Sequence, residues 1–454
     1  MKHDMGNDHV VDVMPSIKAK KSLIADITVS LESEHSEDPF FLVDLGDIIT
    51  KYRTWKELVP RVDPFYAVKC NTDYTVIKLL ADLGASFDCA SKVSSRQVAH
   101  SNARMQKQAL IINYAFYIVL IEIETILNLG VSQSRIIYAN PCKQKSFIRY
   151  AAKHNVNTMT FDNEAELYKI KEFFPEARLV LRILPPANFK VRFHLGVKFG
   201  CHPKKAADLL AKAKELGLNV VGISFHVGSE VKEAEAYAAG VEHAYYVFEL
   251  GREMGFKFEL LDIGGGFPGV DTTEISFKEI ADVLNTALDK YFPEGAGVKI
   301  IAEPGRYFVA SAFTLAVNVI AKRSALQGKP DYDDGQEMMP ASPNSEPGYM
   351  YYVNDGLHGS FNYLLFDHDK VQPHIVRDCQ DETTFISTIW GPTCDGLDLI
   401  AEDCRLPELR VGDWLFFENM GAYSVCLSTS FNGMPHPWCY LYCTEQSWFQ
   451  LYSD

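Results

Sequence analysis

Between Phe40 and Ala312 the sequence alternates short apolar runs with longer stretches whose apolar residues recur at helical spacing. The run Val220 to Val227 is followed by the amphipathic stretch Glu235 to Met254, and other pairs of this kind precede and follow it. A repeated strand and helix places the strands parallel, because each helix carries the chain back to the same edge of the sheet. This many units favour a closed (β/α)8 barrel over an open sheet.

Local signals mark the ends of several elements. Asp162-Asn163 can cap a helix from Glu164 to Phe174, since short polar side chains accept hydrogen bonds from the first turn. Ser276 with Glu279 three residues later is a capping box, and Gly217 suits a left-handed helix end. Further strands and one further helix are predicted at Thr158 to Phe161, Leu179 to Ile183, Leu260 to Ile263, Val298 to Ala302 and Ala206 to Leu216.

After Ala312 the pattern changes to strands joined by turns, which predicts an all-β second domain. Its strand candidates are Val317 to Ile320, Tyr349 to Val353, Thr384 to Trp390 and Asp413 to Phe417. Residues 327–348 carry Pro, Gly, Asp and Ser and predict a disordered loop. We therefore divide the chain into an N-terminal segment 1–44 that contributes to the β domain, a barrel 45–312 and a β domain 313–454.

The segment 93–120 interrupts the first strand–helix units of this pattern. It carries an almost wholly apolar run from Ala109 to Leu120, which is short for a membrane span. A buried extra helix would account for it. Deleting the segment joins Lys92 to Ile121 and continues the motif, so our hypothesis is a retained intron or an error of the gene model.

Composition narrows the class of protein. A hydrophobic content of 47% and a charged content of 23% are typical of a globular protein with a large core. The net charge of −15 argues against a nucleic acid or an anionic membrane as the main partner. Ten cysteines without paired spacing indicate reduced thiols, with no metal site, and no signal peptide is evident. We expect a cytoplasmic location.

Several segments together predict a site for pyridoxal 5′-phosphate. Lys69 ends an apolar strand in the segment 64–71 and offers an amine for the cofactor's aldehyde. The glycines Gly264, Gly265 and Gly266 offer backbone N–H groups to a phosphate, although a structural turn would also use them. Arg306 would add a charge-assisted contact to that phosphate.

Two further residues at strand ends suit the ring of this cofactor. Glu303 can pair with the pyridine nitrogen and keep it protonated, which makes the ring an electron sink. His226 can stack on the flat ring, although a core histidine is the commoner role, and Ser229 can donate to the phosphate. All these residues belong to the carboxyl ends of strands, where barrels carry their active sites.

The β domain supplies candidates for the substrate. Asp367 and Asp395 would bind a distal ammonium group if they lie near the cofactor. Cys394 is a candidate for directing protonation of the carbanion, with an inert buried thiol as its alternative.

From Phe40 to about Leu451 the chain resembles the eukaryotic ornithine decarboxylase family, which includes the antizyme inhibitors. The shared stretches are PFYAVKCN, FDCAS, IIYANPCKQ, FHVGS, LLDIGGGFPG, IIAEPGRY, ALDKYFPEG, WGPTCDGLD and ENMGAYSV. The resemblance implies a (β/α)8 barrel with a β-sandwich domain, a head-to-tail homodimer with shared active sites, and antizyme as a partner.

The resemblance also implies a role for each matching residue. Lys69 would hold the cofactor's aldehyde, His226 would stack on the ring and Glu303 would meet its nitrogen. The phosphate would be held by Ser229, Gly265, Gly266, Arg306 and Tyr423. Asp367 would bind the substrate from one subunit, and Cys394 and Asp395 from the other. Further matching positions are Asp88, Arg182 and Glu122 in the active site and Lys198 with Asp398 as an intersubunit ion pair.

Three features depart from the family's pattern. Phe366 and His358 stand where the family has tyrosines, and residues 184–196 lack its acidic, serine-containing loop. We favour an L-ornithine decarboxylase that makes putrescine. The alternatives are a decarboxylase for another amino acid such as leucine, and a catalytically inactive regulator similar to the antizyme inhibitors. Two carboxylates facing an apolar substrate would lack partners, which argues against leucine.

Overall fold

The computed structural model describes residues 1–6, 9–16, 18–90, 122–193, 195–326, 347–367 and 370–452. Clustering of contacts divides the chain into a barrel unit, residues 48–309, and a sheet unit, residues 1–47 with 310–454. The segment 93–120 and residues 327–346 of the predicted loop lie outside the described residues. Within the described part, no helix is both long enough and apolar enough to cross a membrane.

The barrel unit contains eight parallel strands that close on themselves, as the sequence predicted. Each strand pairs with its neighbour in the sequence, and the eighth pairs with the first through Ile300 and Val62. In chain order the strands are Val62–Ala67, Ser86–Cys89, Ile136–Tyr138, Thr158–Phe161, Arg178–Ile183, Asn219–Phe225, Leu260–Asp262 and Lys299–Ala302. They are called the first to the eighth barrel strand below.

Helices alternate with these strands, and local signals mark the start of one helix and the end of another. Asn163 caps its helix by accepting from the Glu166 amide at 3.0 Å, and Gly217 takes a left-handed φ of 64°. Phe173 ends the Asn163-capped helix one residue earlier than predicted. The helices are Leu45–Leu58, Tyr74–Leu83, Glu122–Asn128, Lys145–Lys153, Glu164–Phe173, Ala206–Glu215, Glu235–Glu253, Phe277–Tyr291 and the short Arg306–Val309.

Close packing of the sixth barrel strand against its helix fixes the strand end that carries His226. A Cβ on Gly240, within Glu235–Glu253, would lie 2.3 Å from the Phe225 ring, so only glycine admits that ring. Phe225 is almost fully buried as a result. A further buried cluster joins strands around the barrel through Phe65, Ile137, Ala139, Val180, Val221, Leu260 and Ile301.

The sheet unit is built around the long strand Phe313–Leu326. Its first half pairs with Phe40–Asp44 and Trp414–Phe417, and its second half pairs with Pro347–Val353. Pro347 and Gly348 therefore belong to a strand and not to the predicted loop. The remaining strands of this unit are Lys2–Asp4, Val10–Met14, His374–Ile375, Thr384–Trp390, Leu399–Pro407 and Trp438–Thr444.

Helices accompany this sheet. Lys20–Ser33 buries Leu23 and Ile24 against Phe40, Trp414 and other side chains of the sheet. The other helices of the unit are the short Leu364–Asp367 and Glu445–Tyr452 near the end of the chain. The N-terminal residues thus supply three strands and a helix to a unit whose other strands come from the C-terminal part.

The capping box at Ser276 gives a direct test of the barrel's local stability. Ser276 Oγ accepts from the Glu279 amide at 3.2 Å, and Glu279 Oε2 accepts from the Ser276 amide at 2.8 Å. Ser276→Ala should lower the free energy of unfolding by about 1 kcal/mol, or the thermal midpoint by about 2 °C. Thr286→Ala, a mid-helix substitution in the same helix, is the control and should not lower it. Equal midpoints for Ser276→Ala and the wild type would show that the box contributes nothing.

Candidate active site

The predicted site residues of the barrel unit follow the carboxyl ends of its strands. Lys69 comes after the first strand, Asp88 lies in the second and Arg182 in the fifth. His226 follows the sixth strand, Gly264–Gly266 the seventh and Glu303 the eighth. Parallel strands present these ends at one face of the barrel, so the fold gathers residues that are up to 237 positions apart, from 69 to 306.

Lys69 is held by a buried carboxylate. Its Nζ donates to Asp88 Oδ2 at 2.8 Å, and the lysine side chain is 43% exposed whereas that of Asp88 is fully buried. Asp88 Oδ1 has no hydrogen-bond partner among the described residues. The amine is therefore oriented from one side and accessible from the other, as an attachment point for a ligand must be.

Asp262 and Glu303 form a second, buried pair of acids beside this lysine. Asp262 Oδ1 accepts from the Gly264 amide at 2.9 Å. Burial raises the pKa of Asp262, and burial followed by the Asp262 and Asp88 carboxylates raises the pKa of Glu303 well above its usual range. The Lys69 cation only partly offsets that rise. This acid pair therefore retains a proton to a higher pH than exposed carboxylates do, unless a cation approaches it.

His226 is a neutral ring in the same group. Burial lowers its pKa well below the usual range, and the Arg182 and Lys69 cations lower it further. Its Nδ1 accepts from the Gly228 amide at 3.2 Å, which fixes the ring orientation. An uncharged, oriented imidazole presents a flat face that can stack on an aromatic ligand.

The glycine loop after the seventh strand has no space for side chains. A Cβ on Gly264 would lie 2.3 Å from the Phe225 carbonyl oxygen, and one on Gly265 would lie 2.7 Å from that of Glu303. Gly264 and Gly266 have φ values of 65° and 108°, which favour glycine. The loop thus brings bare backbone N–H groups to the strand ends, the arrangement that binds phosphate.

Ser229 and Arg306 lie near this loop, whereas Glu122 lies near the end of the second barrel strand. Ser229 begins the short strand Ser229–Val231, and the Val231 amide donates to the Gly266 carbonyl at 3.0 Å. Arg306 begins the helix after the eighth strand, and its Nε lies 3.4 Å from Glu230 Oε1. Glu122 accepts a hydrogen bond from the Ala90 amide at the end of the second strand.

The sheet unit presents Asp395 as a partly exposed, oriented carboxylate. Its Oδ1 accepts from the Leu397 amide at 3.0 Å, and its Oδ2 lies 2.7 Å from His358 Nε2. These two hydrogen bonds, that from Leu397 first, lower the pKa of Asp395. The His358 ring also packs on Phe431, with centroids 4.4 Å apart. Asp395 is therefore ionised at neutral pH and suited to a cation.

The other predicted residues of the sheet unit differ in environment. Cys394 is exposed, with its sulfur 3.4 Å from Asn432 Nδ2, so it is not the buried inert thiol of the alternative interpretation. Tyr423 takes a left-handed φ of 59°. Phe366 is 56% exposed. Asp367 ends its short helix, and its side chain lies outside the described part of the structure.

Asp398 carries an unexpected structural role within its own unit. It is almost fully buried and accepts hydrogen bonds from the Leu357 amide at 2.7 Å and from the Thr393 amide at 3.0 Å. It thereby fixes the turn that carries Cys394 and Asp395. Its predicted ion-pair partner, Lys198, is an exposed residue of the barrel unit.

Comparison with known proteins identifies the family. The pyridoxal binding domain of the pyridoxal-dependent decarboxylases matches residues 45–112 and 119–310, with a break inside the segment 93–120. Ornithine decarboxylase of Mus musculus is 47% identical over 419 residues, which cover 92% of this chain and 83% of the relative. The chain belongs to the pyridoxal-dependent decarboxylases.

Two other relatives show the range of this similarity. Antizyme inhibitor 2 of Xenopus laevis is 48% identical over 414 residues, which cover 91% of this chain and 83% of the relative. The structure of Paramecium bursaria Chlorella virus arginine decarboxylase bound to agmatine superposes with a TM-score of 0.77. It is 33% identical and covers 93% of this chain and 100% of the viral one.

The residues of the barrel unit fit the cofactor that defines this family. The glycine loop packs without side chains against the backbone of the neighbouring strand ends and can offer backbone N–H groups to a phosphate, and the acid pair suits a ring nitrogen that carries a proton. Asp88 orients the amine that would hold the aldehyde. Pyridoxal 5′-phosphate is the cofactor expected of a decarboxylase with these groups.

Sequence reasoning missed three members of the site. Asp262 stood next to the glycine motif, but only its complete burial beside Glu303 reveals the shared acid pair. The contact of His358 with Asp395 joins residues 37 positions apart, and neither motif indicated it. Glu230 directly follows Ser229 in the FHVGS segment, and its position beside Arg306 depends on the fold.

The acid pair predicts how stability depends on pH in the cofactor-free protein. A raised folded-state pKa means that the folded protein keeps a proton that the unfolded chain releases above its ordinary pKa of 4.5. Stability contributed by Glu303 is thus present at low pH and falls as the pH rises. Glu303→Gln should raise the thermal midpoint over the wild type by about 2–4 °C at pH 8 and hardly at pH 5.

The exposed Glu294 provides the matched control. Glu294→Gln should leave the midpoint unchanged at both pH values. Parallel curves for the wild type and Glu303→Gln across pH 5–8 would contradict the raised pKa of Glu303.

Proposed function

We propose that this protein decarboxylates L-ornithine and releases CO2 and putrescine. The observation that carries the proposal is the ionised, oriented carboxylate of Asp395, which suits the distal ammonium of a basic amino acid. The family places the reaction among decarboxylations, and the mouse relative is named for ornithine. The viral structural relative is named for arginine, another basic amino acid.

The bound cofactor supplies an aldehyde for amine attachment and a protonated ring that draws electrons from the breaking Cα–carboxylate bond. Lys69 would hold that aldehyde through its Nζ, in competition with the substrate's α-amine. Glu303, backed by Asp262, holds a proton at the ring nitrogen. His226 covers one ring face, and Asp88 and Arg182 complete the surroundings of the lysine. The glycine loop, Ser229, Arg306 and Tyr423 bind the phosphate.

The substrate's side chain is bound by residues of the sheet unit. Asp395 and Asp367 bind the distal ammonium and thereby select a diamino acid over a neutral one. Cys394, whose exposed thiol lies beside Asp395 in the sequence, delivers the proton that replaces CO2 at Cα. The Lys69 amine would again be the attachment point for the aldehyde once the diamine has left.

The assembly we propose is a homodimer in which Asp367 comes from one subunit and Cys394 and Asp395 from the other. Lys198 would approach Asp398 across that interface, adding a cation to a carboxylate that is already hydrogen-bonded within its own unit. Antizyme is a proposed regulatory partner. All ten cysteines are free thiols, which supports the reducing environment of the cytoplasm.

The 48% identity to antizyme inhibitor 2 supports a second candidate, a regulator without chemistry. The Lys69–Asp88 pair, the acid pair and the glycine loop favour the enzyme, because a regulator has no need of them. Release of CO2 from L-ornithine by the cofactor-loaded protein separates the two. Lysine-bound cofactor absorbance without CO2 release would indicate another amino acid, and absence of both would indicate the regulator.

Lys69→Ala should abolish CO2 release from L-ornithine and leave the fold intact, because the attachment point for the cofactor is lost. Lys78→Ala is the control: it removes a lysine paired with Asp82 on the next helix and should retain full turnover. Far-ultraviolet circular dichroism checks the fold of both variants. Normal turnover by Lys69→Ala would refute the assignment.

Asp395→Ala should raise the KM for L-ornithine by about ten- to a hundredfold, because the distal ammonium loses a charged partner. The KM for a neutral amino acid such as L-leucine should change far less. Asp381→Ala, on an exposed turn of the same unit, is the control for a general loss of negative charge. Equal effects on both substrates would remove Asp395 as the ammonium partner.

A further inference from the structure

The loop that departs from the family pattern contributes one strand to a two-stranded antiparallel sheet beside the glycine loop. Val191–Phe193 pairs antiparallel with Ser229–Val231, with Phe193 opposite Ser229 and Val191 opposite Val231. This register places Arg192 and Glu230 at the centre of the two strands. The Val231 amide donates to the Gly266 carbonyl at 3.0 Å, so this two-stranded sheet is joined directly to the glycine loop.

Glu230 lies between two arginines, Arg192 of the facing strand and Arg306 of the helix after the eighth barrel strand. Its Oε1 is 3.4 Å from Arg306 Nε, and its Oε2 contacts Arg192 Nη2. The side chains are largely withdrawn from solvent, with 19% of Arg192, 22% of Glu230 and 11% of Arg306 exposed. We call these three residues the charge triad. Its net charge is +1, and partial burial makes that charge more effective than on an open surface.

The backbone at Glu230 shows that the triad is held against a conformational cost. Its φ of 46° lies in the left-handed region, where a side chain with a Cβ is uncommon. Gly228, two residues earlier, also has a positive φ of 122°, and a Cβ there would lie 2.6 Å from the Phe193 carbonyl oxygen. The two ion pairs are the side-chain contacts that compensate for this conformation.

We infer that Arg192 is a positioning residue that sets the affinity of the site for the phosphate of a phosphate monoester. Without Arg192, the Glu230 carboxylate would neutralise the Arg306 guanidinium. The ion pair of Glu230 and Arg306 beside the glycine loop would then have no net charge. With Arg192 engaging the carboxylate, Arg306 retains its positive charge for the phosphate dianion. The inference rests on the proposed role of Arg306 in phosphate binding and adds the residues that control it.

Charge arithmetic orders the variants. Relative to the wild type at +1, Arg192→Met makes the triad neutral, Glu230→Gln makes it +2, and the double variant returns it to +1. Arg192→Met should raise the dissociation constant for pyridoxal 5′-phosphate by about tenfold. Glu230→Gln should bind as tightly as the wild type or more tightly, and the double variant should match the wild type.

Pyridoxal, which has no phosphate, distinguishes this role from a general structural one. Binding is followed by the absorbance of the ligand attached to Lys69, without measuring activity. The affinity for pyridoxal should be the same in all four proteins. Arg178→Met is the matched control, because Arg178 pairs with Glu259 at 2.7 Å at the start of the fifth barrel strand, away from the glycine loop. It should bind both ligands like the wild type.

Two outcomes for the Arg192→Met protein would overturn the inference. One is an Arg192→Met protein with unchanged affinity for pyridoxal 5′-phosphate, and the other is an equal loss for pyridoxal. If Arg192→Met does not fold, a Glu230→Gln protein that binds pyridoxal 5′-phosphate more weakly than the wild type overturns it too. Inorganic phosphate, read by the thermal midpoint of the cofactor-free proteins, should give the same order of variants. That readout stays informative even if a lack of Lys69-bound absorbance disproves the proposed function.

Discussion

The barrel site depends on the confinement of three carboxylates and one amine at the ends of four parallel strands. Asp88, Asp262 and Glu303 are all buried, and the cations that act on them are Lys69 and Arg182. Buried acids that outnumber their cations must keep a proton or acquire a positive ligand. A cationic group bound at this position would therefore stabilise the buried carboxylates, and a protonated ring nitrogen is such a group.

The same confinement explains why glycine is required nearby. The seventh strand delivers its loop against the ends of the sixth and eighth strands, where carbonyl oxygens of Phe225 and Glu303 leave no room for a Cβ. The Glu303 amide donates to the Gly264 carbonyl at 2.7 Å, so the proposed phosphate cradle and the proposed ring-binding acid belong to one hydrogen-bonded structure. A substitution in the loop would thus disturb both ends of the cofactor's site.

The barrel and several of its helix starts were predictable from the sequence, because each depends on residues close together in the chain. The alternation of apolar runs and amphipathic stretches indicated the barrel, and Asn163 and Ser276 marked helix starts that the structure confirms. Residues such as Lys69 and Glu303 were recognisable because they directly follow strands. The contacts of Glu230 and His358 were not predictable, since each joins segments whose approach depends on the complete fold. The burial of Asp398 was not predictable either, because its carboxylate accepts a hydrogen bond from the distant Leu357 amide.

Glu303 and Asp395 are two carboxylates of the proposed site whose environments shift their pKa values in opposite directions and suit them to different functions. Burial and like charges raise the pKa of Glu303, which therefore holds a proton. Backbone and histidine hydrogen bonds lower the pKa of Asp395, which is therefore an anion. A proton donor for a ring nitrogen and an anion for a substrate ammonium need these opposite states at the same pH. The assignment of cofactor and substrate roles follows from this difference, because exchanging the two residues' environments would leave each carboxylate in the wrong protonation state.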